Sequence, residues 1–270
     1  MMTTDRPEEN DSIAGIREFL QRASKIEEFI LSKHLSLIEM LACVDGQFRK
    51  VLFSEDMKSS GISSLLMMNA YGSFLASVRI AISGQSPPTF MVLRGALESA
   101  AYAVLAREPE NERIYIERVI NKTKCLETFR LSNAVGELRN ADPNLATTLS
   151  FLYDSFIDFG AHPNVVSVAN HLSARQRADG KIAVSLTLLH DPSSDAITQT
   201  LMACVETGIT LLHLCPHSLP DQDAAYDCHR VGTELFNSKE DWMRNNRPEA
   251  HRQSTDLVNM KKNKRVKKGK

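Results

Sequence analysis

The chain has 270 residues, 43% of them hydrophobic and 24% charged, which is ordinary for a soluble globular protein. Its net charge of −1 hides an asymmetry: residues 261–270 carry seven positive charges and no acid, leaving about −8 on the rest. A body of that sign is a poor general binder of phosphate.

Residues 1–10 are polar and predicted disordered, with no apolar segment of the secretory kind. Ile13, Ile16, Phe19, Leu20, Ile26, Phe29 and Ile30 then recur at helical spacing, with Asp11 or Ser12 as N-cap. Leu35, Leu37, Ile38, Leu41, Val44 and Phe48 predict a second amphipathic helix over 34–52. Two strongly apolar helices follow, at about 62–83 and 87–106. The stretch Gly84-Gln85-Ser86-Pro87-Pro88 separates them, with Ser86 as a cap and Pro87 at the first helical position. So short a connection makes them an antiparallel pair. That pair is the expected core, with Ala70, Gly72, Ser73, Ala76, Gly95, Ala96, Ser99 and Ala100 permitting close approach.

Residues 109–139 read as one long charged amphipathic segment. Asp142-Pro143 marks the next helix start, and Leu145, Leu149, Leu152, Phe156 and Phe159 form a stripe closed by Gly160 as C-terminal cap. The period then changes. Ile182, Val184, Leu186 and Leu188 alternate with smaller or polar residues, a strand with one buried face. A β-hairpin is expected near 165–189. A loop over Ala178-Asp179-Gly180 would set Leu172 opposite Leu186 and Ala174 opposite Val184. Helical signal returns from Ser194 to Leu214, interrupted by Pro216, and again over about 221–237. The fold class is therefore mostly α: one helical-bundle domain over 11–240 with an inserted hairpin, then a polar, basic tail over 241–270 predicted disordered.

Arg94 and Glu98 stand four residues apart in a segment otherwise apolar or small. A helix apolar all round is buried, and buried charges need partners. Arg79 or Asn69 of the preceding helix would supply them. The alternative is a ligand or catalytic pocket. His162, in Gly160-Ala161-His162-Pro163-Asn164, follows a helix end and is held extended by Pro163. It would cap the last carbonyls or act as a general base.

His213, Cys215, His217, Cys228 and His229 cluster in sequence, but no spacing matches a paired zinc motif, so no metal is expected. Nor does any phosphate-cradling or dinucleotide-binding glycine motif occur, so no cofactor is implied. The five cysteines, Cys43, Cys125, Cys204, Cys215 and Cys228, are scattered and odd in number. They argue for free thiols in a reducing compartment, hence a cytoplasmic location. Arg79, Arg94 with Glu98, and Glu206 interrupt the longest apolar stretches, so no membrane span is expected.

With Arg94-Gly95-Ala96-Leu97-Glu98-Ser99 and the later His162-Pro163-Asn164, the chain resembles a group of poorly characterised bacterial helical proteins with an R-x-x-x-E helix and an H-P-N. Some of these are loosely similar to the HEPN class, helical domains that include dimeric RNases. That class places a His after an Arg and four to six intervening residues. Arg94 has no such His, so no catalytic residue carries over.

Two functions are expected from different classes. One is a helical binding or regulatory module without catalysis, with a protein partner or a second copy of itself. The other is a hydrolase acting on RNA through Arg94, Glu98 and His162. The basic tail adds weak, non-specific nucleic-acid contact at most, because no aromatic residue is interleaved for base stacking.

Overall fold

The computed structural model describes residues 9–53, 61–161, 172–176, 180–186, 188–219, 221–249 and 251–252. These residues are overwhelmingly helical. Helix α1 (Glu9–Lys33) and α2 (Leu35–Leu52) meet at His34. Helices α3 (Ile62–Ile82) and α4 (Ser86–Leu105) form the expected antiparallel pair. Gly84 makes that reversal possible. It takes φ +87°, its N–H donates to Ala81 (3.0 Å), and the Gln85 N–H donates to Ile80 (3.3 Å). This is a Schellman ending, in which only glycine is free of strain. The cap of α4 differs from expectation. Gln85 takes that position, and Ser86 lies inside the helix with its hydroxyl buried and without a partner among the described residues.

The close approach of α3 and α4 also has fewer authors than expected. Ala70, Ala96 and Ala100 are fully buried. Gly72 and Gly95 face open space: an added Cβ would meet nothing within 4 Å. By length and composition α3 could cross a membrane. Its packing against α4 and a later helix accounts for that composition here.

The segment 109–139 is not one helix. It divides into α5 (Pro109–Ile116), a 3-10 turn at Glu117–Val119, α6 (Lys122–Thr128) and α7 (Leu131–Ala141). Asn121 caps α6, its side chain accepting from the Lys124 N–H at 3.1 Å. Asp142 caps α8 (Pro143–Phe156) as the sequence predicts, accepting from the N–H groups of Asn144 (3.1 Å) and Leu145 (2.9 Å). Beyond Phe156 the chain winds into a π-helical turn over Ile157–Ala161. Gly160 is thus part of a helical turn and not a left-handed cap. Its role is close approach, since a Cβ there would sit 2.5 Å from the Pro87 carbonyl oxygen.

Two short extended segments, β1 (Leu172–Gln176) and β2 (Ile182–Leu186), lie antiparallel with Leu172 opposite Leu186 and Ala174 opposite Val184. Residues 162–171, 177–179 and 187 fall outside the described residues. Gly180 takes φ +79° between the two segments.

Helix α9 (Asp195–Ser218) lies at the centre of the bundle with α3 and α4. Ile197, Leu201, Cys204, Val205, Leu211, Leu212, Leu214 and Cys215 are at or near zero exposure, and the helix packs against α2, α3, α4, α8 and the final helix. Gly208 lets α2 and α3 approach it: a Cβ would sit 2.9 Å from Val44 Cγ2 and 3.2 Å from Phe74 Cε2. Pro216 does not end α9. It sits in the last turn, and Leu219 N–H still reaches the Cys215 carbonyl at 2.8 Å.

Helix α10 (Gln222–Asn246) runs past the domain boundary expected at 240. Buried Lys239 and half-buried Trp242 hold that end against the core. Lys239 Nζ meets Glu206 of α9 at 3.3 Å and Glu240 at 2.8 Å. Burial works against its charge, and the two carboxylates outweigh that, so its pKa is raised.

Candidate functional site

Helix α4 places Arg94 and Glu98 on one stripe, a turn apart. Phe156 and Phe159 flank Phe90 (ring centroids 5.7 Å for each pair) and Gly160 meets Pro87, so α8 runs antiparallel along α4. That alignment brings Tyr153 over the charged pair. Arg94 Nε donates to Glu98 Oε1 at 3.1 Å, and Arg94 Nη2 donates to the Tyr153 hydroxyl at 2.8 Å. The Tyr153 hydroxyl in turn donates to Glu98 Oε1 at 2.7 Å. The guanidinium also lies over the Tyr153 ring, 4.9 Å from its centroid, a cation–π contact.

The three groups are thus hydrogen-bonded to one another. They are half-buried, with the Arg94 side chain 24% and Glu98 30% exposed, so water reaches the edge of the triad. Burial, and then the hydrogen bond to Glu98, push the Tyr153 phenol above its ordinary pKa. Burial works to lower the Arg94 pKa, and Glu98 with Tyr153 reverses that, leaving it raised. A fixed cation and a phenol that stays protonated can hold each other in place. Neither offers a base near neutral pH.

The stripe continues to Tyr102, whose ring meets Phe129 edge-on at 5.7 Å, and Phe129 meets Tyr115 at 4.9 Å. The partners expected from α3 are engaged elsewhere. Arg79 pairs with Glu27 of α1, and Asn69 Nδ2 donates to Ser99 Oγ at 2.7 Å. His162 lies outside the described residues. Of the three candidates, Arg94 and Glu98 are together, and the residue sequence reasoning missed is Tyr153. Its signal was its place directly after Leu152 of the α8 stripe, at the half-buried flank where a hydroxyl can reach across to a neighbour.

A second polar cluster lies where α9, α10 and the α7–α8 junction meet. The rings of His213 and His229 stand 4.9 Å apart. An open cavity of about 540 Å³ is lined by Asp142, Pro216, His217, Asp223, Tyr226 and His229. Burial, and then the neighbouring His229, lower the pKa of His213; burial also lowers that of His217. Among the described residues no three His, Cys, Asp or Glu side chains are grouped to hold a metal ion. The free thiols of Cys215 and Cys228 are hydrogen-bonded neighbours, and Cys228 Sγ also accepts from Gln47 Nε2 at 3.8 Å.

No protein-family model, curated protein or solved structure matches this chain.

Proposed function

We propose that this protein is a helical binding or regulatory module that acts through its surface and not through catalysis. The observation that carries this reading is the triad itself: Arg94, Glu98 and Tyr153 are hydrogen-bonded to one another across α4 and α8, an arrangement that ties two helices together. A reaction centre needs at least one such group aimed at substrate. A cytoplasmic location fits the five cysteines, all of them free. The basic segment 261–270 would add only weak, salt-sensitive contact to nucleic acid. The competing reading is an RNA hydrolase distantly similar to the HEPN class. The two separate in an assay of the full chain on single-stranded and structured RNA. The expected result is no cleavage above a buffer control. Cleavage that disappears in Arg94→Ala, with the fold retained by circular dichroism, overturns the proposal.

A further inference from the structure

Away from the triad, two buried nucleophiles stand against each other. Cys215 lies in the last turn of α9 and Cys228 in the second turn of α10, and both are at 0% exposure. Their thiols are free and hydrogen-bonded to each other. The other cysteines are placed differently. Cys43 is exposed, and the Cys204 thiol is pushed up to about 12 by burial, with only Ser77 to offset it.

The surroundings divide the pair into a nucleophile and a partner. Helix α2 supplies the polar side: Gln47 Nε2 donates to Cys228 Sγ at 3.8 Å and to Asp227 Oδ2 at 3.2 Å. Lys50 Nζ meets the same Asp227 oxygen at 2.5 Å; its charge favours a thiolate at Cys228, and that of Asp227 opposes one. The hydrogen bond from Cys215, and then that from Gln47, outweigh burial, so Cys228 yields its proton more readily than an ordinary thiol. Cys215 is the opposite case. Burial holds its proton on, and the Leu211 carbonyl at 3.5 Å is a further acceptor for its S–H. An acidic thiol beside a second thiol that can resolve it is the arrangement of a redox pair, not of two inert core cysteines.

We propose that Cys215 and Cys228 are a reversible redox site that closes to an intrachain disulfide when the protein meets a hydroperoxide. The Cys228 thiolate attacks one peroxide oxygen. An S–O bond forms, the O–O bond breaks, and the leaving oxyanion takes up the proton that Cys228 had released to water. The Cys215 sulfur then attacks Cys228 Sγ. The S–S bond forms, the S–O bond breaks, and hydroxide leaves with the Cys215 proton as water. The two thiols lose two electrons and the peroxide gains them. Both sulfurs are covered, so the oxidant is small and enters as the first turns of α10 open from α9. Closure pins those turns to α9. The site depends on the packing of α2, α9 and α10 alone and holds whether or not the chain cleaves RNA.

Peptide mapping by mass spectrometry tests it, on the full chain carrying Cys43→Ser so that the exposed thiol cannot cross-link two molecules. Dilute hydrogen peroxide is the probe, and cleavage after Glu206 and Asp223 puts Cys204, Cys215 and Cys228 on separate peptides. The expected result is a linked Cys215–Cys228 peptide pair, a chain lighter by two hydrogens, and return to the starting mass with dithiothreitol. Adding Cys215→Ala should stop the reaction at a sulfenic acid on Cys228, which dimedone captures, and adding Cys228→Ala should leave Cys215 unmodified. Hydrogen exchange over 222–228 should slow in the oxidised chain. Circular dichroism checks the fold of the two buried variants, and the map of the Cys43→Ser chain needs neither of them. Recovery of both thiols free at a dose that already converts exposed Met91 to its sulfoxide overturns the proposal, as does a disulfide from either one to Cys125 or Cys204 instead. A sulfenic acid on Cys215 in place of Cys228 overturns the assignment of the nucleophile.

Discussion

Replacing Glu98 with alanine removes the acceptor on which the triad converges. Arg94 then keeps the Tyr153 hydroxyl and loses its carboxylate, while the phenol loses the acceptor for its own proton. In a dry interior, breaking such a pair costs about 3–5 kcal/mol. The triad is not dry: Arg94 is 24% exposed and Glu98 30%. Water can take over part of the lost bonding, which brings the cost toward that of one hydrogen bond to a charged group, about 2 kcal/mol. For a domain of this size each kcal/mol moves Tm by about 2–4 °C, so Glu98→Ala should melt about 4–8 °C lower. Urea unfolding followed by far-ultraviolet circular dichroism gives the free energy directly. Tyr153→Phe should cost about 1 kcal/mol, and a double-mutant cycle with Glu98→Gln should show a coupling of about 1 kcal/mol, because the two groups share one bond. An unchanged midpoint in Glu98→Ala refutes the argument that the triad holds α8 to α4. A loss beyond about 4 kcal/mol refutes the argument that water reaches it.

Three further outcomes follow from the packing. Gly208→Ala should destabilise by about 1–2 kcal/mol in urea unfolding despite alanine's better helix propensity, because Val44 and Phe74, both at 0% exposure, have no room to retreat. Lys239→Ala should cost about 2–3 kcal/mol, since Glu206 loses its cation and Glu240 keeps only His251, and calorimetry should show the lower Tm. His213 has a folded pKa below its ordinary 6.5, so the unfolded chain takes up its proton first and stability falls as pH drops through 6.5 toward the folded value. Urea midpoints between about pH 7.5 and 5 should show that decline, and His213→Leu should flatten it.

Much of the helical architecture was legible from local signals. Gly84 and the two prolines after it announce the α3–α4 reversal, and Asp142-Pro143 announces the start of α8, because both depend on backbone chemistry within a few residues. What depends on distant chain was not legible. Tyr153 lies 59 residues from Arg94, and nothing in the local periodicity of either helix names the other. That α9 joins α3 and α4 at the centre was hidden for the same reason: its apolar pattern resembles theirs, and only tertiary packing shows that α2, α8 and α10 gather on it. Pro216 looked like a stop. In the last turn its missing donor removes one bond, and Leu219 still closes the next, so the helix passes through it. The long segment 109–139 looked continuous because charge and apolar spacing persist across Asn121 and Phe129, where the backbone leaves the helix.

The position of α9 in the chain sets the order in which the protein can be assembled. Its residues, 195–218, reach the ribosome exit late, after every helix it organises except α10. The α3–α4 hairpin can close early, since its contacts are local and cost little loop entropy. Helix α2 and one face of that hairpin must then wait, with Val44 and Phe74, which meet α9 at Gly208, left uncovered there until α9 arrives. A nascent chain halted before residue 195 is therefore a partly formed bundle with an open apolar groove, the kind of species that chaperones hold and that aggregates without them.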